Sequence, residues 1–507
     1  MMTGVMTPDL APPSPAPPAH PLASLFLPAP VGAGEPPVLP VVSGGAPLPA
    51  GGAPVLPAVS AGEPPVLPAV SARAPLPAGG AGVSPLVAVL GVLVGAVASL
   101  LRQGGVPAWD SVWAEDGTAT LRDAVDGGFW QALSTPVSGY YQTLPRLLAE
   151  PVVLLPATWA APVFAVEAAL VTSLFALFVY VASAAHLRAP AARLAAAAVA
   201  VLTPVGMQDV PNSLCNLHWA GMYAVCWALL YVPRGRPGKA ASVAVVVVMA
   251  LTNILVAVFL PLALLRVVGC RRQRYTRILC LGLLLGLLVQ GVGLLTGAAA
   301  TREVPSRPLP RAAFDGFFSW VVPHAFLGEV LAPQPPTGPL AAWLLPACVW
   351  AGAGVAVVVA VRHADPNWPA AVVLAAHALL FWMVAAGGTG LFTARYETTP
   401  AMLLVAATAA LLRPGPQGAS RAVPLLAFVL LLTVVWTVDY RVPDERAAGP
   451  RWSAAVAQAR TTCHQPGVTS AVVRIAPAAD PRWTVALSCR YLLQRQNLSR
   501  HLPDWLR

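Results

Sequence analysis

RGRPGKAASVAVVVVMALTNILVAVFLPLALLRVVGCRRQRYTR, residues 234–277, decides how this chain is built. Its apolar middle, 240–268, is long for one membrane span and short for two, because a crossing helix needs about 20 apolar residues. Charge breaks the tie. RGRPGK (234–239) precedes the run and RVVGCRRQRYTR (266–277) ends it, and both basic segments belong on the cytoplasmic side. An even number of crossings must then lie between them, and a tight hairpin turning near Asn253 provides it. Non-helical backbone at that depth is tolerated only inside protein or beside water, so the hairpin is expected to be buried in a bundle.

Outward from this stretch the same logic orders the rest. The chain has 507 residues, 57% hydrophobic and 10% charged, with mean hydropathy +0.68. Soluble chains carry about 25% charged residues. Apolar runs fall near 83–101, 161–185, 191–207, 219–233, 240–252, 254–268, 278–297, 341–361, 369–386, 400–412 and 422–439. The expected fold is an all-α polytopic membrane protein with about 11 transmembrane helices. The basic segments His186 to Arg193, 234–239, 269–277, Arg362–His363 and 413–421 sort to the cytoplasm. The segments 102–160, 208–218, 298–340, 387–399 and 440–507 sort outside. The expected location is the cell membrane, multi-pass, with the N-terminus cytoplasmic and the C-terminus extracytoplasmic. The net charge of +10 sits mainly in these short loops and does not read as nucleic-acid binding.

Three domains are expected. Residues 1–81 form a disordered Pro/Ala/Gly-rich tail in which AGEPPVLPVVSGGAPLPAGGA (33–53) recurs as AGEPPVLPAVSARAPLPAGGA (61–81). The start of the chain lacks the basic and apolar regions of a signal peptide. Residues 82–440 form the membrane domain, with a long first external loop at 102–160. Residues 441–507 form a small cap. Cys463 and Cys489 are the only cysteines of that segment, and an oxidising exterior permits a disulfide between them. Around them RWSAAVAQARTTC has helical periodicity, while AVVRIAP and RWTVALSC read as short strands.

The first external loop gathers carboxylates in an acid-poor chain: SVWAEDGTATLRDAVDGG, 111–128, holds Glu115, Asp116, Asp123 and Asp126. Trp109, Trp113, Phe129, Trp130, Tyr140 and Tyr141 suit the headgroup level, and 118–125 fits a helix on the membrane surface. Asp116 reads either as the cap of that helix or, with Glu115, as part of a site. A carboxylate held against an aromatic surface has a raised pKa, which suits it to accept a proton near neutral pH.

This arrangement resembles the GT-C superfamily of membrane glycosyltransferases, which use polyprenyl-phosphate-linked sugars, in its bacterial, actinobacterial-type form. The likeness rests on the acidic pair Glu115–Asp116 after the first span, on the many spans, and on YYQTLPRLLAE (140–150), NSLCNLHW (212–219) and TARYETTP (393–400). The pair is ED where many members carry DE or a spaced DxD. The resemblance implies an inverting glycosyltransferase that moves a sugar from a polyprenyl-phosphate donor to an envelope glycan, glycolipid or protein acceptor on the outer face. Asp116 is the expected general base, with Glu115 the alternative. Arg146, Arg395 and His218 are the expected groups at the donor phosphate, and Tyr140, Tyr141, Asn216, Trp219 and Tyr396 complete the substrate site. Some members need a divalent cation, Mg or Mn, beside the acidic loop; no metal-ligand spacing in this chain demands one.

No zinc motif, P-loop or dinucleotide fingerprint is present. Two other readings compete: a transporter or lipid flippase with its groups near the midplane, and a non-catalytic envelope scaffold. Convergence of the acidic pair with Arg395 and His218 in one outward cavity would favour the transferase.

Overall fold

The computed structural model describes residues 25–26, 83–137, 139–270, 272–296, 308–332, 339–414, 422–441 and 445–494. The described residues belong to one unit. Both N-terminal repeats lie outside the described residues, as do residues 495–507.

Every stretch read as a span carries a helix. In order these are α1 (Pro85–Leu100), α2 (Ala160–Ala182), α3 (Pro190–Leu202), α4 (Leu217–Leu230), α5 (Arg236–Thr252), α6 (Leu260–Cys270) and α7 (Arg274–Leu295). Then α8 (Val322–Leu331) runs outside the expected spans. It is followed by α9 (Pro339–His363), α10 (Trp368–Trp382), α11 (Ala394–Leu411) and α12 (Val423–Val438). Among the described residues, four helical stretches are long and apolar enough to cross a membrane: Ala157–Ala185, Arg274–Leu295, Leu344–His363 and Trp368–Gly387. Exposed leucines and valines crowd the outer faces of α1, α7, α9 and α12, the surface an apolar solvent would wet.

Helix α4 is the axis of the molecule. All its residues are buried, and it packs against α2, α5, α6 and α11. Small residues let the neighbours approach closely, which is how apolar helices pack where water supplies no driving force. A Cβ on Gly221 would collide with Met249 of α5, and one on Gly286 of α7 with Ala250 of α5.

The stretch 240–268 breaks where the polar residue lies. Helix α5 ends at Thr252 and Asn253 is extended. A 3-10 turn, Ile254–Phe259, then leads into α6. The Asn253 side chain accepts from the Leu255 N–H, so it closes the break it creates. Asn253 is buried, as irregular backbone between apolar helices must be.

Contacts sort the connections to two ends. At one end His186 Nε2 meets the Leu230 carbonyl at 3.0 Å, Arg266 binds the Leu229 and Tyr231 carbonyls, and Arg413 and Arg188 meet Asp365. At the other end Asp116 meets Leu214 and Cys215, Arg395 meets Asp209, and Glu329 meets Gly206. The basic connections thus share one end and the acidic, aromatic ones the other.

Helix α13 (Trp452–Cys463) and strands β1 (Ser470–Arg474) and β2 (Thr484–Ser488) make the C-terminal cap. The strands are antiparallel, with Val472 opposite Ala486. Cys463 and Cys489 form a disulfide. The cap does not stand apart. Val473, Val485 and Leu487 share a core with Leu121 and Ala124 of the segment that follows α1. The segment 114–126 is helical, with a π-turn at Asp116–Leu121. Its apolar face is therefore covered by the cap and not by a membrane surface. Trp113 is likewise buried, whereas Trp109, Phe129 and Trp130 are exposed.

Candidate functional site

The cap and the segment that follows α1 are stitched by main chain. The Ala114 N–H donates to the Ala476 carbonyl at 2.7 Å, and the Ala476 N–H donates to the Val112 carbonyl at 3.0 Å. Gly117 sits so close to Ile475 that a side chain there would collide with it. The turn carrying Glu115 and Asp116 is thus clamped on its outer side. Adjacent residues on a helix differ in direction by about 100°, so the two carboxylates face different surroundings.

Asp116 faces inward and is sealed. Its Oδ1 accepts from the Cys215 N–H at 2.8 Å and its Oδ2 from the Leu214 N–H at 3.2 Å. Burial raises its pKa, and the Cys215 hydrogen bond opposes that rise. Asp116 therefore does not cap its own helix. It fixes the 212–216 turn ahead of α4. Asn212 adopts a left-handed conformation there (φ 55°) and is held by Ser99: the Asn212 Nδ2 donates to the Ser99 carbonyl and the Ser99 hydroxyl to Asn212 Oδ1, both at 2.9 Å.

Glu115 faces a cavity of about 330 Å³. Its carboxylate makes no hydrogen bond among the described residues. The same cavity is lined by Tyr140, Gln142, Asn216, His218, Trp219, Arg395 and Tyr396. The broken helix adds Asn253, Ile254 and Leu255, the end of α7 adds Leu294, and the chain after α10 adds Val384, Ala385, Thr389 and Leu391. The lining thus combines ionic and aromatic groups with aliphatic ones.

Each polar wall residue is set by a partner. Arg395 meets Asp209 Oδ2 at 3.3 Å, and Glu115 lies within electrostatic reach of both. Burial raises the Asp209 pKa to about 6 against the pull of Arg395. Asn216 donates to the Asp209 carbonyl and accepts from Trp219 Nε1 at 3.0 Å, which orients that indole. Trp219 and Tyr396 rings lie 5.5 Å apart. His218 Nδ1 meets the Cys215 carbonyl at 2.6 Å, so Nδ1 carries the hydrogen and Nε2 has no partner among the described residues. Burial holds the Tyr140 hydroxyl far above its ordinary pKa, so it stays a neutral donor.

Of the residues expected from sequence, Glu115, Tyr140, Asn216, His218, Trp219, Arg395 and Tyr396 share this cavity. Asp116, Arg146 and Tyr141 do not line it. Arg146 is buried against Asp123 at 2.9 Å, an ion pair internal to the segment between α1 and α2. Tyr141 is tied through its main chain to Gln290: its N–H donates to Oε1 at 3.0 Å, and its carbonyl accepts from Nε2. The acidic pair does not converge on one cation position, because Glu115 lines the cavity and Asp116 does not. No group of three or more His, Cys, Asp or Glu placed to hold a metal occurs among the described residues.

Sequence reasoning missed Asp209. Its only signal was an acidic residue inside the external segment that also carries Asn216 and His218. A second cluster was missed as well. His324 Nδ1 meets Glu397 Oε2 at 2.5 Å, and His324 Nε2 meets the Ala332 carbonyl. Burial disfavours the charged imidazole, but Glu397 holds its pKa above the usual value. Burial also raises Glu329 to about 7, while its Oε1 accepts from the Gly206 N–H at 2.7 Å.

Compared with known protein families and with curated proteins, the chain matches none.

Proposed function

We propose that this chain is a GT-C-like membrane glycosyltransferase that transfers a sugar from a polyprenyl phosphate to an envelope acceptor on the extracytoplasmic face. The observation that carries the reading is the mixed lining of the cavity. Glu115, Arg395 and His218 line it together with Ile254, Leu255, Leu294, Val384 and Leu391. A lipid-linked sugar phosphate combines the same charged and apolar chemistry.

In this reading the acceptor hydroxyl attacks the anomeric carbon and gives its proton to the Glu115 carboxylate. The bond between that carbon and the phosphate oxygen breaks with inversion, and polyprenyl phosphate leaves. Arg395 stabilises the charge that develops on the phosphate. Its planar fork suits two phosphate oxygens, and Asp209 holds it in place. Trp219, Tyr140 and Tyr396 offer aromatic faces to the sugar. The prenyl chain lies along the aliphatic residues. Asp116, first expected as base, acts here by fixing the turn that carries Cys215, Asn216 and His218. The reading includes the multi-pass topology, with the cavity end outside.

A second reading, lipid or solute transport, draws on one feature: the helix broken at Asn253 lines the cavity, as broken helices do in many transporters. Transfer measured in bilayer discs separates the two. A panel of radiolabelled polyprenyl-phosphate sugars and envelope lipids would be offered to wild type, Glu115→Gln and Arg395→Gln. We expect wild-type transfer, its loss in Glu115→Gln with donor binding retained, and weakened donor binding in Arg395→Gln. Equal transfer in wild type and Glu115→Gln removes the proposed base. Flipping of labelled lipid without transfer would favour the second reading.

A further inference from the structure

At the end opposite the cavity, two residues from the N-terminal tail are packed into the helices. Leu25 and Phe26 are both buried, in the same core as α4, α6 and α7. Phe26 is the only Phe, Trp or Tyr among residues 1–82. Its ring lies 5.5 Å from the Arg266 guanidinium, and its carbonyl lies 4.0 Å from Cys270 Sγ. Arg266 is immobilised from below by the Leu229 and Tyr231 carbonyls, and the Tyr275 ring lies 5.1 Å from its guanidinium. An aromatic ring is a favourable neighbour for a cation held this way.

We propose that Arg266, Cys270 and Tyr275 form a peptide-docking site whose ligand is the tail's own Leu25–Phe26. The ligand class is an aliphatic–aromatic dipeptide in a proline-rich segment. Tyr275 stands 19 residues before Leu294 on α7, so the site lies about 28 Å along that helix from the cavity. It is separate from the proposed chemistry. A tethered ligand acts at an effective concentration of about millimolar, so a dipeptide of weak intrinsic affinity still docks. Both repeats lie in sequence between Phe26 and α1.

The test uses the full chain in membranes and needs no sugar transfer. Cys270 is covered by the docked pair, so its labelling by a maleimide, read on the tryptic peptide Val267–Arg271, reports docking. Leu25→Ser with Phe26→Ser should label Cys270 at least about tenfold faster, while Cys226, deep in α4, stays protected. A peptide of residues 20–30, added at about millimolar concentration, should restore protection. An unchanged Cys270 rate overturns the proposal. Should Cys226 also become reactive, a second measurement decides. Phe26→Cys under mild oxidation should join the peptide Met1–Arg73 to Val267–Arg271 at least about tenfold more than Ala53→Cys does. Equal yields from the two positions overturn docking.

Discussion

Arg395 and Glu397 start the same helix two residues apart, yet they belong to opposite kinds of ionic cluster. Arg395 opens onto the cavity with Glu115 and Asp209 nearby, and the Glu115 carboxylate makes no hydrogen bond among the described residues. Glu397 is sealed against His324, whose second nitrogen is also taken. Charge in a helical bundle is not by itself a sign of chemistry. A sealed pair with its lone pairs and hydrogens taken up holds elements together. An open one retains capacity for a ligand. Glu115 and Asp116 repeat the contrast at adjacent positions.

The sharpest way to break this comparison is Glu115→Gln. If the open carboxylate is the base, transfer should fall by about 10²–10⁴-fold with little change in thermal stability. A stability loss with transfer intact would place Glu115 among the sealed groups. On the sealed side, Glu397→Ala leaves His324 buried with its partner gone and should cost about 3–5 kcal/mol, read as a lowered unfolding temperature in detergent. A negligible shift would show the pair to be incidental. Asp116→Ala strands the Leu214 and Cys215 N–H groups and should cost about 1–3 kcal/mol. Its transfer should fall only through the displaced turn, so chemical tethering of that turn would recover it where Glu115→Gln would not recover.

The smallest effect is a pH dependence. Asp209 is ionised above pH about 6 and then neutralises part of the Arg395 charge. Below that pH it takes up a proton and the site becomes more positive by one charge. Affinity for an anionic donor should therefore rise several-fold as pH falls through about 6, measured by binding at fixed ionic strength. Asp209→Asn should remove that dependence and hold the high affinity throughout. A pH profile unchanged by Asp209→Asn would detach Asp209 from the cavity.

Much of the architecture was legible because hydropathy and charge act over whole segments. The apolar runs became helices, and the break at Asn253 fell where a polar residue interrupts 240–268. The two cysteines in the C-terminal segment could pair only with each other inside it, and they do. The aromatic first external loop was harder. Trp113 and the apolar face of 114–126 suited a membrane surface equally well, and nothing local indicated that the cap would cover them.

The sequence by itself determined the helices, the basic and acidic ends of the chain, and a set of polar residues from distant segments that a site would need. Tertiary structure alone decided which carboxylate of Glu115–Asp116 reaches the cavity, that Arg146 is spent on Asp123, and that Asp209 stands behind Arg395. The reason is directional. Segment composition sets where a helix forms, but the rotation of one residue against its neighbour is fixed by contacts from far along the chain, here Cys215 on one side and Ile475 on the other.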